Sequence, residues 1–107
     1  MLMPTVLVIS DYPIVSATVE YVLQPSHRVL RRTWSSSGWH TLGEIDLVIV
    51  DVTSGAGDTV LTDVAGALPG ARLVAFSLHT NEVHLYSLSV NGLVREGSLP
   101  SLLALSA

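Results

Sequence analysis

Three short apolar runs each end on residues whose oxygens could do chemistry. Val6-Leu7-Val8-Ile9 leads into Ser10-Asp11, Leu47-Val48-Ile49-Val50 into Asp51, and Leu73-Val74-Ala75-Phe76 into Ser77. Apolar runs without polar alternation read as strands covered on both faces, the habit of a parallel sheet. In an open parallel sheet, reactive groups and ligands collect at the carboxyl ends of the strands. Asp11, Asp51 and Ser77 are therefore expected at one end of the molecule. Two carboxylates held close in a dry place repel, which favours a bound proton or recruits a cation. A hard divalent ion such as Mg²⁺ suits an all-oxygen donor set and keeps several of its waters.

The segments between these runs must position them. After Pro13, at home in a first helical turn, Val15, Val19, Val22 and Leu23 share one helix face. After Asp58 and Thr59, either of which can cap, Val60, Val64 and Leu68 recur at helical spacing until Pro69-Gly70 stops the run. The reading predicts a third helix from near Thr80 to Asn91-Gly92, with Val83, Leu85 and Leu88 as its apolar stripe. A short last helix is predicted over Pro100 to Ser106. His27 to Trp34 reads as a less buried strand, followed by a loop at Ser35-Ser36-Ser37-Gly38. Too few residues then precede Asp46 for a full crossover helix, and only a short turn around Trp39–Glu44 fits. The sum is one α/β domain over residues 1–107, an open five-stranded parallel sheet flanked by helices, with the second helix reduced and the last one short.

The ordered set resembles the receiver domains of bacterial two-component response regulators. Val6-Leu7-Val8-Ile9-Ser10-Asp11-Tyr12-Pro13 looks like the family's first strand and acidic pair, and Asp46-Leu47-Val48-Ile49-Val50-Asp51 like its phosphoacceptor strand. Leu73-Val74-Ala75-Phe76-Ser77 resembles the strand that ends in the hydroxyl switch residue. Asn91-Gly92-Leu93-Val94-Arg95-Glu96-Gly97-Ser98 and Pro100-Ser101-Leu102-Leu103 resemble the last strand and helix. The resemblance implies a flavodoxin-like fold and assigns roles by position. Asp51 would accept a phosphoryl group, and Asp11 and the Thr53 carbonyl would join it around Mg²⁺. Ser77 would contact a phosphoryl oxygen. Such transfer rests on positioning and charge neutralisation, so the parts must act together.

Several positions depart from the family pattern. Ser10 replaces the first member of the acidic pair. The chain contains no lysine, and Arg95 takes the place of the signature lysine; its planar fork is not equivalent to an ammonium group. Gly92 occupies the place of the switch aromatic, and the large Leu78 follows Ser77. Ser77 and Arg95 are 18 positions apart, a few fewer than receivers usually have. Taken with these departures, the resemblance implies an atypical stand-alone receiver-like domain, not an enzyme, that signals through protein contacts with phosphorylation weakened or lost. Its partner would be a histidine kinase or a regulatory target, or a second copy in a homodimer. One alternative is a phosphorylation-competent receiver that charges Asp51 from a histidine kinase with Mg²⁺. The other is a small α/β domain binding a phosphate-containing metabolite at the glycine-rich stretch Ser54–Thr59, next to a helix start.

Composition narrows the remaining choices. Hydrophobic residues make up 49% and charged residues 13%, so apolar surface should be left over for a partner. The net charge is −4, and three of the five arginines fall at Arg28, Arg31 and Arg32. That cluster suits a charged strand edge better than a nucleic-acid surface. There is no cysteine for a disulfide or a thiolate. The start lacks a signal-peptide pattern and the apolar runs are too short to span a membrane, so a cytoplasmic protein is expected. His27, His40, His79 and His84 show no paired metal spacing. Trp34 and Trp39 are expected to anchor the loop where a helix is missing. Asp11 could also serve simply as the cap of the first helix.

Overall fold

The computed structural model describes residues 3–33, 39, 42–53, 57–68, 70–78, 82–89 and 92–99. The strands are β1 (Thr5–Ile9), β2 (Arg28–Arg32), β3 (Leu47–Asp51), β4 (Arg72–Ser77), β5 (Glu82–Ser89) and β6 (Gly92–Leu99), with helices α1 (Pro13–Leu23) and α2 (Gly57–Ala67). They form one sheet in the order β2-β1-β3-β4-β5-β6. The first four strands in that order are parallel, and β5 and β6 add on antiparallel. The α/β class matches the expectation from sequence, and the sheet is mostly rather than wholly parallel.

The unbroken apolar runs are buried because helices cover both faces. Val6 and Val8 of β1 and Leu47 and Ile49 of β3 pack with Val19 and Leu23 of α1. Leu7, Ile9, Val48 and Val50 point the other way, onto Val60, Leu61, Val64 and Ala65 of α2. Each strand therefore has no polar face to show, as the runs require. Pro13 begins α1, but the cap position is Tyr12 rather than Asp11, and no side chain caps it.

Between β2 and β3 the described residues are 33, 39 and 42–46, and none of them lies in an α-helix. Trp39 belongs to the α2-side core, against which Leu30 and Leu42 also pack; Trp34 lies outside the described residues. Gly43, in the same connection, has φ +85°, and a Cβ there would meet nothing within 4 Å. Gly43→Ala should therefore cost about 1 kcal/mol of backbone strain with no steric clash. In urea the unfolding midpoint should fall while the slope stays constant.

The third predicted helix is corrected by the structure: residues 82–89 form β5, paired in register with β4 from Leu73–Tyr86 to Ser77–Glu82. Val83 and Leu85 face the α1-side core, whereas Tyr86 faces the α2 side. This period-two division is a strand signal that an irregular helical stripe obscures. The five-strand all-parallel sheet is corrected with it, because an antiparallel ribbon now follows β4. The predicted last strand does form, as β6, but it lies one place further out, beside β5. The predicted helix over Pro100 to Ser106 lies outside the described residues.

β2 is an edge strand, in line with its arginines. Arg31 pairs with Glu20 at 3.3 Å. The Arg32 guanidinium donates to the Arg31 carbonyl at 2.7 Å. In the parallel ladder Arg32 directs its own carbonyl toward β1, where Ser10 N–H meets it, so the Arg31 carbonyl faces outward. The charge cluster thus covers an exposed edge acceptor, a barrier to strand addition.

Candidate functional site

The site forms where β1 and β3 end. Their register pairs Ile9 with Val50, and one step further brings Ser10 opposite Asp51. Both side chains continue the alternation toward α1 and are almost fully enclosed, with Ser10 3% and Asp51 1% exposed. A buried carboxylate needs hydrogen-bond donors to offset its lost hydration. Ser10 Oγ donates to Asp51 Oδ2 at 2.8 Å, and the Thr53 N–H donates to Oδ1 at 2.9 Å.

These bonds extend into neighbouring loops. Ser10 Oγ accepts from the Tyr12 N–H at 3.1 Å, at the cap of α1. Thr53 Oγ1 accepts from the Leu78 N–H at 2.9 Å, just past the end of β4. Asp51 therefore stands at the junction of the β1–α1 turn and the β3–α2 turn, and Thr53 carries the connection to the turn after β4.

The structure brings Asp11, Asp51, Ser10, Thr53 and Ser77 to one end of the sheet, as the strand ends predict. Asp11 is exposed, beside a shallow cleft of about 140 Å³ that Ser10, Ser16 and Arg31 also line. Ser77 follows Phe76, the β4 residue in register with Asp51, and stands opposite Glu82 of β5. Leu78 is 59% exposed.

Arg95 is placed elsewhere. It is in register with Tyr86 of β5, which pairs with Leu73 of β4, which pairs with Val48 of β3. Its backbone is therefore three strands away from β3, about 14 Å across the sheet, and about 10 Å below the Asp51 row. Gly92 lies in the same strand, opposite Ser89. Residues 54–56 of the glycine-rich stretch, together with His40, His79 and Asn91, lie outside the described residues.

The polar atoms around Asp51 are arranged as hydrogen-bond donors. Ser10 presents its proton to Asp51 Oδ2, and Oδ1 is engaged by the Thr53 N–H, while the second carboxylate, Asp11, is exposed. Among the described residues, no group of three His, Cys, Asp or Glu side chains could hold a metal ion.

Two contributions escaped the sequence reading. Ser10 stands in the place of a carboxylate, and it acts as a donor to Asp51. Thr53, expected to act through its carbonyl, also contributes its N–H and hydroxyl. A small hydroxyl one step past a buried strand, opposite a buried acid, is the signal that could have shown the first. Nothing local to Thr53 announces the second, because its partner is 25 positions away.

No family model, no curated protein and no solved structure matches this chain. No helix among the described residues is long and apolar enough to cross a membrane.

Proposed function

We propose that this chain is an atypical receiver-like module of signal transduction that works through protein contacts, with phosphorylation weakened or lost. The observation that carries this reading is the state of Asp51. A phosphoacceptor must offer an oxygen to an incoming phosphoryl group and keep a metal at hand to neutralise it. Asp51 is instead enclosed, with one oxygen held by Ser10 and the other by the Thr53 N–H.

The parallel strands in the order 2-1-3-4 are compatible with a flavodoxin-like sheet and support the resemblance on which the reading rests, although the antiparallel β5 beside β4 departs from the order of receiver sheets. Large apolar side chains stand exposed at Tyr12, Ile14 and Tyr21 on and beside α1. Such side chains are the surface a contact-based module needs. Partners of this kind are a regulatory protein or a second copy of the chain. No chemistry of its own is assigned to the domain.

The reading is tested by intact mass after incubation with acetyl phosphate and Mg²⁺, with Asp51→Asn alongside. The expected result is an unchanged mass for both proteins. A phosphate adduct on the wild type that is absent from the variant would instead establish a working phosphoacceptor.

A further inference from the structure

We infer that Thr53 is a positioning residue that couples Asp51 to the turn after β4, through its two ends. Its N–H is held by Asp51 Oδ1 at 2.9 Å, and its hydroxyl accepts the Leu78 N–H at 2.9 Å. Asp51 thereby helps to fix where the Thr53 hydroxyl sits, alongside the bond from the Val52 N–H to the Phe76 carbonyl at 2.8 Å. Leu78 follows β4 directly and presents an exposed apolar side chain. A change at Asp51 that releases the Thr53 backbone should consequently loosen the Leu78 turn, 27 positions away in sequence. This regulation belongs to the site described above and extends the proposed function, but its test needs neither a phosphodonor nor a partner.

Threonine suits this task because its β-branched side chain has few rotamers, so the hydroxyl follows the backbone. The coupling passes through two hydrogen bonds that share one residue, a continuous physical connection with a defined middle. Valine at this position keeps the shape and the N–H while removing the acceptor. Serine restores the acceptor.

Solvent exchange of the Leu78 amide, followed by NMR, is the readout. In Thr53→Val the Leu78 amide should exchange about tenfold faster, the loss of one hydrogen bond. The Thr53→Ser variant should stay within about twofold of wild type on the same scale. Asp51→Ala should also speed Leu78 exchange several-fold, through the loss of the Thr53 N–H acceptor. In the double variant the two effects should fall short of their product, since each breaks the same connection.

Wild-type exchange at Leu78 in Thr53→Val would overturn the inference. So would Leu78 exchange that is unchanged in Asp51→Ala, or effects that multiply independently in the double variant. Should Asp51→Ala unfold, Asp51→Asn in the same cycle retains an oxygen acceptor and gives a smaller effect of the same sign. A phosphate adduct on Asp51 would overturn the proposed function and leave this coupling standing; independent exchange effects would do the reverse.

Discussion

Ser10→Asp should lower the stability of the domain by about 3 kcal/mol in the absence of divalent ions, a large effect for a single side chain. Two changes add together. The donor on Asp51 Oδ2 disappears, and a second carboxylate takes its place at hydrogen-bonding distance in a site that is 1–3% exposed. Like charges at about 4 Å repel by about 4 kcal/mol at the effective dielectric typical of proteins. The Tyr12 N–H loses its hydroxyl acceptor but finds a carboxylate, which offsets a little of the cost.

The same substitution should strengthen the binding of a divalent cation. With acids at positions 10, 11 and 51, the end of the sheet would offer the oxygen-rich set that a hard cation prefers. Millimolar Mg²⁺ should then raise the unfolding temperature of Ser10→Asp, because a ligand that binds only the folded state stabilises it by mass action. Wild type should show no comparable rise. Thermal unfolding of both proteins with and without Mg²⁺ is the check. Equal Mg²⁺ responses would mean that Ser10 does not govern cation binding.

The parts of the fold that were legible in sequence are those where local pattern and burial agree. The runs at 6–9, 47–50 and 73–76 have one reading, since each lies in a core strand of the sheet and cannot alternate. Pro13 and the Val60, Val64, Leu68 spacing mark their helices for equally local reasons. Residues 82–89 were ambiguous because Val83, Leu85 and Leu88 fit a loose helical stripe and an alternating strand. Pairing with β4 decides between them, and pairing is not a local property.

The site was legible to the same degree. Strand ends located Asp51, Asp11 and Ser77 correctly at one pole, because topology alone puts them there. The position of Arg95 depended on which element follows β4. A helix there would have returned the chain for a parallel strand next to β4; a hairpin puts β5 in that place and moves Arg95 outward. The role of Ser10 turned on hydrogen direction. The hydroxyl in the place of a metal-binding acid is, in the folded protein, one of the donors to the buried Asp51 carboxylate.

Asp51 is thus predicted to be a structural acceptor, and its removal should weaken the protein. Asp51→Ala leaves the Ser10 hydroxyl and the Thr53 N–H to find new partners in a nearly dry site, at a cost of about 2–3 kcal/mol. Asp51→Asn is milder, about 1 kcal/mol, because its carbonyl can still accept from Thr53 and the Ser10 hydroxyl can rotate to accept from the amide. A carboxylate retained for phosphoryl chemistry would behave in the opposite way, since reactive groups are commonly kept at the expense of stability. The decisive measurement is urea unfolding of wild type, Asp51→Asn and Asp51→Ala side by side at neutral pH. The account predicts stability falling in that order with unchanged slopes; variants as stable as wild type, or more so, would contradict it.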